Sequence, residues 1–257
     1  MLDRPWLNQT ELRFQALGRQ IRANNFPCRR SEYALTLAHS FRIAQCAGID
    51  RITIIELGVA GGDGLEDLCH IAEQYREMFG IDYDVVGFDI GSGMPAAVDY
   101  RDHPEIWHTG QFDVHSQTDN LTQRLEARGA QLIIGNVAET VPKFIAEFGN
   151  RVLGFVSIDL DQYTGTKASM PLFDMPAENY LPAVPVFVDD MNTGITYNPW
   201  CGEAAAILEY NQEHDHRKIE EKHVLWGIQN FHVLHVLDHP MRCGAVKPVH
   251  SLDYGPF

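Results

Sequence analysis

Short apolar runs alternate with stretches of helical character along this chain of 257 residues. Continuous runs of Val, Ile and Leu joined by helices are typical of a parallel sheet that is buried on both faces. The sequence therefore predicts an α/β fold: a doubly wound, Rossmann-like, mostly parallel sheet of about seven strands with helices on both faces. The apolar runs lie at 51–58, 83–90, 130–135, 153–160, 183–190 and 230–238, and the helical stretches between them include 65–79, 118–128, 138–148 and 202–213.

Two helical segments, 10–25 and 31–48, precede the first apolar run, and Pro27 marks the break between them. We predict a helical extension over residues 1–50. We predict a single domain over residues 51–257, because no long Pro-, Gly- or Ser-rich linker divides this part of the sequence.

The last apolar run and the charged segment before it differ from the rest. Polar and apolar residues partly alternate in 230–238, which indicates a half-exposed or edge strand, with antiparallel pairing as one possibility. The run KIEEKH at 218–223 is rich in charge and predicts an exposed turn or helix end.

The chain is acidic, with 20 Lys and Arg against 35 Asp and Glu and a formal net charge of −15. This balance argues against nucleic acid and against an anionic membrane surface as partners. No window of 18 apolar residues and no apolar leader is present, which also argues against a membrane partner. The five cysteines are scattered and form no CxxC pair, as in a reducing compartment. We therefore expect a cytoplasmic protein.

A glycine-rich turn, ELGVAGGDG, follows the first apolar run. Its spacing differs from the G-x-G-x-x-G of nicotinamide and flavin binders. The order acid-x-Gly-x-Ala-x-Gly instead resembles the first motif of the class I S-adenosylmethionine-dependent methyltransferases. An ordinary glycine-rich turn without a ligand is the alternative. The resemblance implies cofactor contacts at Glu56, Gly58, Ala60 and Gly62.

Two further segments are candidates for the same cofactor. Asp89 ends the second apolar run, where an acid can accept hydrogen bonds from a ribose diol, although a helix cap or turn residue is equally consistent with it. The methyltransferase resemblance places the adenine beside Gly135, Asn136 and Val137. The alternative for these three residues is simply the start of a helix.

Two pairs of aspartates follow the fourth and fifth apolar runs: Asp159 with Asp161, and Asp189 with Asp190. If these strands are neighbours, the four carboxylates meet at one edge of the sheet and repel one another. A divalent cation would remove this repulsion, and oxygen ligands suit Mg²⁺, with Ca²⁺ or Mn²⁺ also possible. Aspartates that cap helices and face water are the alternative.

The segments SIDLDQYTGT, FVDDMN, NPWCGEAAAILEYN and LIIGNVAETVP together resemble the macrocin O-methyltransferase family, over about residues 52–211. That family methylates sugar hydroxyls in antibiotic biosynthesis. The resemblance implies metal ligands at Asp159, Asp189 and Asp190, a general base at Asp161 and a place for Asp159 in the cofactor site. The sequence YLPAVP stands where the family has Pro-Gly-Gly, so the identity of the substrate does not carry over.

The resemblance implies an S-adenosylmethionine-dependent, Mg²⁺-dependent O-methyltransferase. It would act on a hydroxyl of a small molecule, such as a sugar or vicinal diol in natural product biosynthesis. Trp200 is a candidate wall of the acceptor pocket, and a homo-oligomer is possible. A non-catalytic S-adenosylmethionine-binding relative and a nucleotide-dependent oxidoreductase are the alternatives.

Overall fold

The computed structural model describes residues 9–191, 198–222 and 230–243. Within them, seven strands form one sheet in the order β3-β2-β1-β4-β5-β7-β6. Strands β1 to β5 are parallel, and β7 runs antiparallel to both of its neighbours. The predicted fold class is confirmed. The strands are β1 (Arg51–Leu57), β2 (Asp82–Asp89), β3 (Ala130–Ile134), β4 (Leu153–Ile158), β5 (Ala183–Val188), β6 (Arg217–Glu221) and β7 (Phe231–Val236).

Helices connect the parallel strands and cover the sheet. The strand order reverses between β1 and β4, and because crossovers between parallel strands are almost always right-handed, the helices on the two sides of that point are expected on opposite faces. On one side α2 packs against α3, and on the other α6 packs against α5 and α7. The helices are α1 (Gln9–Arg22), α2 (Ser31–Ala47), α3 (Asp63–Phe79), α4 (Thr118–Glu126), α5 (Val137–Ala146), α6 (Tyr163–Ser169), α7 (Gly202–Glu213) and α8 (Pro240–Cys243).

One hydrophobic core runs through the described residues, from Phe14 of α1 to Val236 of β7. Every residue of β4 is buried, as expected for a central strand covered on both faces. Helix α2 packs on β4 and β5, so the N-terminal helices share this core. The domain boundary at residue 50 stays a prediction.

The two expectations about the last strands need correction. Strand β7 pairs antiparallel, but it lies between β5 and β6 and is mostly buried, so the edge assignment was wrong. The edge strand at this end of the sheet is β6, which lies in the segment expected to be a turn or helix end. There Arg217 and Ile219 are buried while Glu220 is exposed. Buried side chains alternate with more exposed ones in this strand, but its many charged residues obscure that pattern in the sequence. Charged residues are common on edge strands.

None of the described helices combines the length and apolar character that a membrane span requires.

Candidate active site

A cavity of about 640 Å³ opens where the strand order reverses, at the carboxyl ends of the central strands. Ligands of doubly wound sheets bind at such a reversal. Ten of the residues proposed from the sequence lie in its wall: Glu56, Gly58, Ala60, Asp89, Asn136, Val137, Asp159, Asp161, Asp189 and Asp190.

The turn between β1 and α3 requires glycine at position 58. Gly58 has φ 88°, and a Cβ there would lie 1.7 Å from the carbonyl oxygen of Asp159. This close approach holds β1 against the chain that leaves β4, where the Asp159 amide donates to the Leu57 carbonyl at 2.9 Å. A glycine at position 58 therefore allows the chain after β1 to lie directly against the chain after β4, at the base of the cavity.

Asp89 holds the same turn from the neighbouring strand. Its Oδ2 accepts hydrogen bonds from the amides of Val59 at 2.9 Å and Ala60 at 2.7 Å, and its Oδ1 accepts from Gly91 at 2.7 Å. The carboxylate is buried but lines the cavity. Two carboxylate oxygens have about four acceptor sites, so these three bonds leave room for one more.

Glu56 is almost completely buried beneath the start of α3. Its Oε1 accepts a hydrogen bond from the Tyr33 hydroxyl at 2.8 Å, and its Oε2 has no hydrogen-bond partner among the described residues. Burial raises the pKa of Glu56 to about 8, against the lowering effect of the Tyr33 bond. A buried carboxylate oxygen without a partner, in a cavity wall, indicates a ligand that brings a donor.

The other two glycines of the predicted cofactor site lie outside the cavity wall. A Cβ on Gly62 would lie 2.6 Å from Leu121 and 2.8 Å from Arg124, so this glycine allows α3 to approach α4. Gly135 precedes Asn136, whose Oδ1 accepts from the Ala138 amide at 2.9 Å and caps α5.

We call the four aspartates after β4 and β5 the acid cluster. All four line the cavity, and the carboxyl groups of Asp161 and Asp190 share a hydrogen bond. Burial, with repulsion from Asp189, raises the pKa of Asp159 to about 7. Burial and the bond to Asp190 raise the pKa of Asp161 to about 9. The residue also has φ 61°, a backbone conformation uncommon outside glycine.

Glu203, in the first turn of α7, joins the loops that carry the acid cluster. Its Oε1 accepts from the amides of Leu160 at 2.9 Å and Asp161 at 3.3 Å, and its Oε2 accepts from the Asp190 amide at 3.2 Å. Burial raises the pKa of this carboxyl well above its usual range. Sequence reasoning missed Glu203, because an acid in the first turn of a helix usually interacts with its own helix.

Arg30 supplies a positive charge beside the acid cluster. Its Nη1 lies 3.8 Å from Asp159 Oδ2 and donates to the Tyr33 hydroxyl at 2.9 Å. Burial lowers the pKa of Arg30, but the neighbouring Tyr33, Glu56, Asp159 and Asp189 outweigh it and raise the pKa overall. Among the described residues of the wall, Arg30 is the only Lys or Arg.

The acid cluster offers oxygen donors that suit Mg²⁺ chemically. In the part of the chain that the structure describes, however, no three acidic, histidine or cysteine side chains are arranged to hold an ion. The raised pKa values of Asp159 and Asp161 mean that the cluster favours an added positive charge, whether a proton or a metal.

Of the tryptophans, Trp107 rather than Trp200 lines the cavity. Trp200 is 69% exposed and lies outside the cavity wall, whereas Trp107 is part of that wall. Trp107 belongs to the long connection between β2 and α4, which carries no signal of regular structure in the sequence.

Solved structures that the chain resembles include methyltransferases. No protein-family model and no curated protein matches the chain. A crystal structure of CalS11, calicheamicin methyltransferase, matches with TM-score 0.60 and 23% identity, covering 89% of this chain and 93% of that one.

Two further methyltransferase structures share this fold. The apo structure of CalS11, described as TDP-rhamnose 3'-O-methyltransferase, matches with TM-score 0.50 and 20% identity, covering 89% of this chain and 95% of that one. The O-methyltransferase NovP matches with TM-score 0.51 and 14% identity, covering 89% and 99%. At these identities the likeness concerns the fold, and the activity has to be argued from the residues.

Proposed function

We propose that the protein is an S-adenosylmethionine-dependent O-methyltransferase that acts on a hydroxyl group of a small molecule. The observation that carries the proposal is the buried Oε2 of Glu56, without a hydrogen-bond partner among the described residues, in the wall of a cavity at the strand reversal. The structural likeness to CalS11 and NovP supports it. So does the acid cluster in the same cavity wall.

The residues around Glu56 fit the polar groups of the cofactor. Glu56 Oε2 would accept from the methionine ammonium, and Arg30 would bind the methionine carboxylate. Asp89 has one acceptor site left for the ribose, while Asn136 and Val137 would lie against the adenine. S-adenosylmethionine supplies a methyl group activated by the positive sulfonium sulfur. Gly62 and Gly135 would not contact the cofactor, but would determine the backbone conformation of the turns that do.

In the reaction the acceptor oxygen displaces S-adenosylhomocysteine from the methyl carbon. The S–C bond breaks as the O–C bond forms, and the hydroxyl proton has to leave. We propose that Asp161 takes this proton. Its pKa is raised to about 9, and a positive charge beside it would lower that pKa toward neutrality, where a general base works best. Much of the acceleration would come from alignment of the two reactants in the cavity.

We also propose that Asp159, Asp189 and Asp190 hold Mg²⁺ when the acceptor is bound. The support is the charge of the acid cluster and its oxygen-only chemistry, and the carboxylates have to converge further to form the site. The ion would orient two acceptor oxygens and lower the pKa of the one that attacks.

Purified protein incubated with S-adenosylmethionine and vicinal diols tests the proposal by release of S-adenosylhomocysteine. We expect release with at least one sugar diol or catechol, its loss in EDTA and recovery with Mg²⁺. Asp161→Asn should lower kcat by roughly 100-fold or more, the usual contribution of a general base, while retaining S-adenosylhomocysteine binding. If EDTA leaves turnover unchanged, no metal ion is needed, and Arg30 alone would supply the positive charge beside the acid cluster. Binding without turnover of any diol would favour the non-catalytic alternative.

A further inference from the structure

One wall of the cavity comes from the connection between β2 and α4, residues 90–117, which we call the β2–α4 loop. Six of its apolar residues line the cavity, not counting Pro95. Three of these form what we call the apolar rim: Val98, Trp107 and Phe112.

The β2–α4 loop is fixed to the end of the cavity that carries the acid cluster. The buried carboxylate of Asp102 accepts from the amide of Thr164 at 2.8 Å and from its hydroxyl at 3.0 Å. The Gln162 side chain donates to the Pro95 carbonyl at 3.1 Å. These bonds tie the loop to the start of α6, directly after Asp161. The Val98 amide donates to the same Asp102 carboxylate at 3.0 Å, so Val98 lies on the side of the acid cluster, and Trp107 and Phe112 belong to the same loop and the same cavity wall.

Two of the three side chains of the apolar rim are largely exposed to solvent. Val98 is 77% exposed and Phe112 is 52% exposed, and the rings of Trp107 and Phe112 lie 6.4 Å apart. Phe112 also has φ 62°, an unfavourable conformation for a bulky residue. An aromatic side chain held under strain and half-exposed at a cavity mouth indicates a ligand that covers it.

The charges of the wall exclude one large class of acceptor. Seven carboxylates line it among the described residues: Glu56, Asp63, Asp89 and the acid cluster. Arg30 is the single opposing Lys or Arg, and it already faces Asp159. A nucleotide sugar carries a diphosphate, which proteins bind with cationic side chains or free backbone amides. With one Mg²⁺ in the acid cluster, seven carboxylates would still face only Arg30 and the two charges of the ion, so the wall would keep a formal excess of negative charge and would repel a diphosphate.

We infer, on the basis of the proposed function, that the acceptor carries no phosphate and presents an apolar ring to Val98, Trp107 and Phe112 beside the hydroxyl that is methylated. A diol joined to an aromatic or other apolar ring, such as an aryl glycoside, fits this description. A sugar still attached to a nucleotide does not. The chemistry thus differs from that of CalS11, whose structure is described as a TDP-rhamnose 3'-O-methyltransferase.

Three probes that share one sugar separate the effects of ring and phosphate. They are 4-nitrophenyl α-rhamnoside, methyl α-rhamnoside and TDP-rhamnose, each titrated calorimetrically into protein saturated with S-adenosylhomocysteine and Mg²⁺. We expect the aryl rhamnoside to bind at least tenfold more tightly than the methyl rhamnoside, and TDP-rhamnose to bind most weakly.

Two variants of the β2–α4 loop assign the preference to the rim. Phe112→Gly removes the ring and relieves the positive φ, so it should leave the melting temperature unchanged or higher. It should reduce the affinity for the aryl rhamnoside at least fivefold and leave that for the methyl rhamnoside unchanged. Tyr100→Ala is the matched control, because Tyr100 is 74% exposed on the same loop but lies outside the cavity wall.

Tighter binding of TDP-rhamnose than of the aryl rhamnoside overturns the inference, as does binding of none of the three probes. An equal loss of affinity for the aryl rhamnoside in Phe112→Gly and Tyr100→Ala overturns it too. So does a Phe112→Gly protein whose oligomeric state changes while its affinity for the probes does not. In all these cases S-adenosylhomocysteine binding remains intact. Failure of the proposed function is separate, since S-adenosylhomocysteine itself would then not bind.

Discussion

At the scale of single residues, Glu56 connects the stability of the protein to its function. The carboxyl group is buried with one oxygen lacking a partner among the described residues, and burial raises its pKa to about 8. A buried ionised carboxylate of this kind destabilises the free protein. A cofactor ammonium at Oε2 would compensate this loss, which would account for an acid at this buried position.

Glu56→Gln should separate these two effects. A carboxyl whose pKa is raised on folding stabilises most below its unfolded value, about 4.5, and this contribution is lost as the pH rises through about 8. The variant should therefore be more stable than the wild type at pH 8.5, by up to roughly 4 kcal/mol, and the difference should shrink toward pH 5.5. Urea unfolding at the two pH values measures this, with the exposed Glu77→Gln as control.

The same variant should bind S-adenosylhomocysteine at least tenfold more weakly, since a hydrogen bond to a charged group contributes roughly 1.5–3 kcal/mol. A variant that is less stable than the wild type at both pH values would show that Glu56 is a structural acid rather than a ligand of the cofactor.

At the scale of elements, the turn between β1 and α3 depends on Gly58 for its packing against β4. Asp89 from β2 and the backbone of β4 both contact this turn, so three strands determine its shape. The glycine pattern could be recognised from the sequence because the turn is local. The close approach to the Asp159 carbonyl could not, since it depends on the pairing of β1 with β4.

Gly58→Ala should destabilise the protein by more than roughly 3 kcal/mol, because its methyl group would lie 1.7 Å from a backbone oxygen and its φ is positive. Gly61→Ala is the matched control three residues along the chain. A Cβ there meets nothing within 4 Å, and its unfolding free energy should change by less than about 1 kcal/mol. Equal effects of the two substitutions on the denaturation midpoint would contradict this account of the turn.

At the scale of the whole molecule, local patterns predicted the parallel strands, the helices between them and the acidic tips after β4 and β5. They did not predict Arg30 or Glu203, which reach the acid cluster from the residue before α2 and from the first turn of α7. Arg30 lies 129 positions before Asp159 and Glu203 lies 42 after Asp161, so only the folded chain brings them together. The apolar rim was missed for another reason: the β2–α4 loop has no periodicity, and its place is set by Asp102 and Thr164.

The sequence also assigned the positive partner of the acid cluster to a metal ion, whereas the structure places Arg30 beside Asp159. Arg30 and a metal ion can both neutralise the acid cluster if the ion binds on the acceptor side. The EDTA experiment decides between these arrangements. The cofactor half of the cavity does not depend on its outcome.

The central claim is that the cavity at the strand reversal binds S-adenosylmethionine and its product. Isothermal titration of the purified protein with S-adenosylhomocysteine tests this most directly. The account predicts one molecule bound per chain in the wild type and in Glu77→Gln, with weaker binding in Glu56→Gln. No binding to the wild type, or the same affinity in all three proteins, would contradict it.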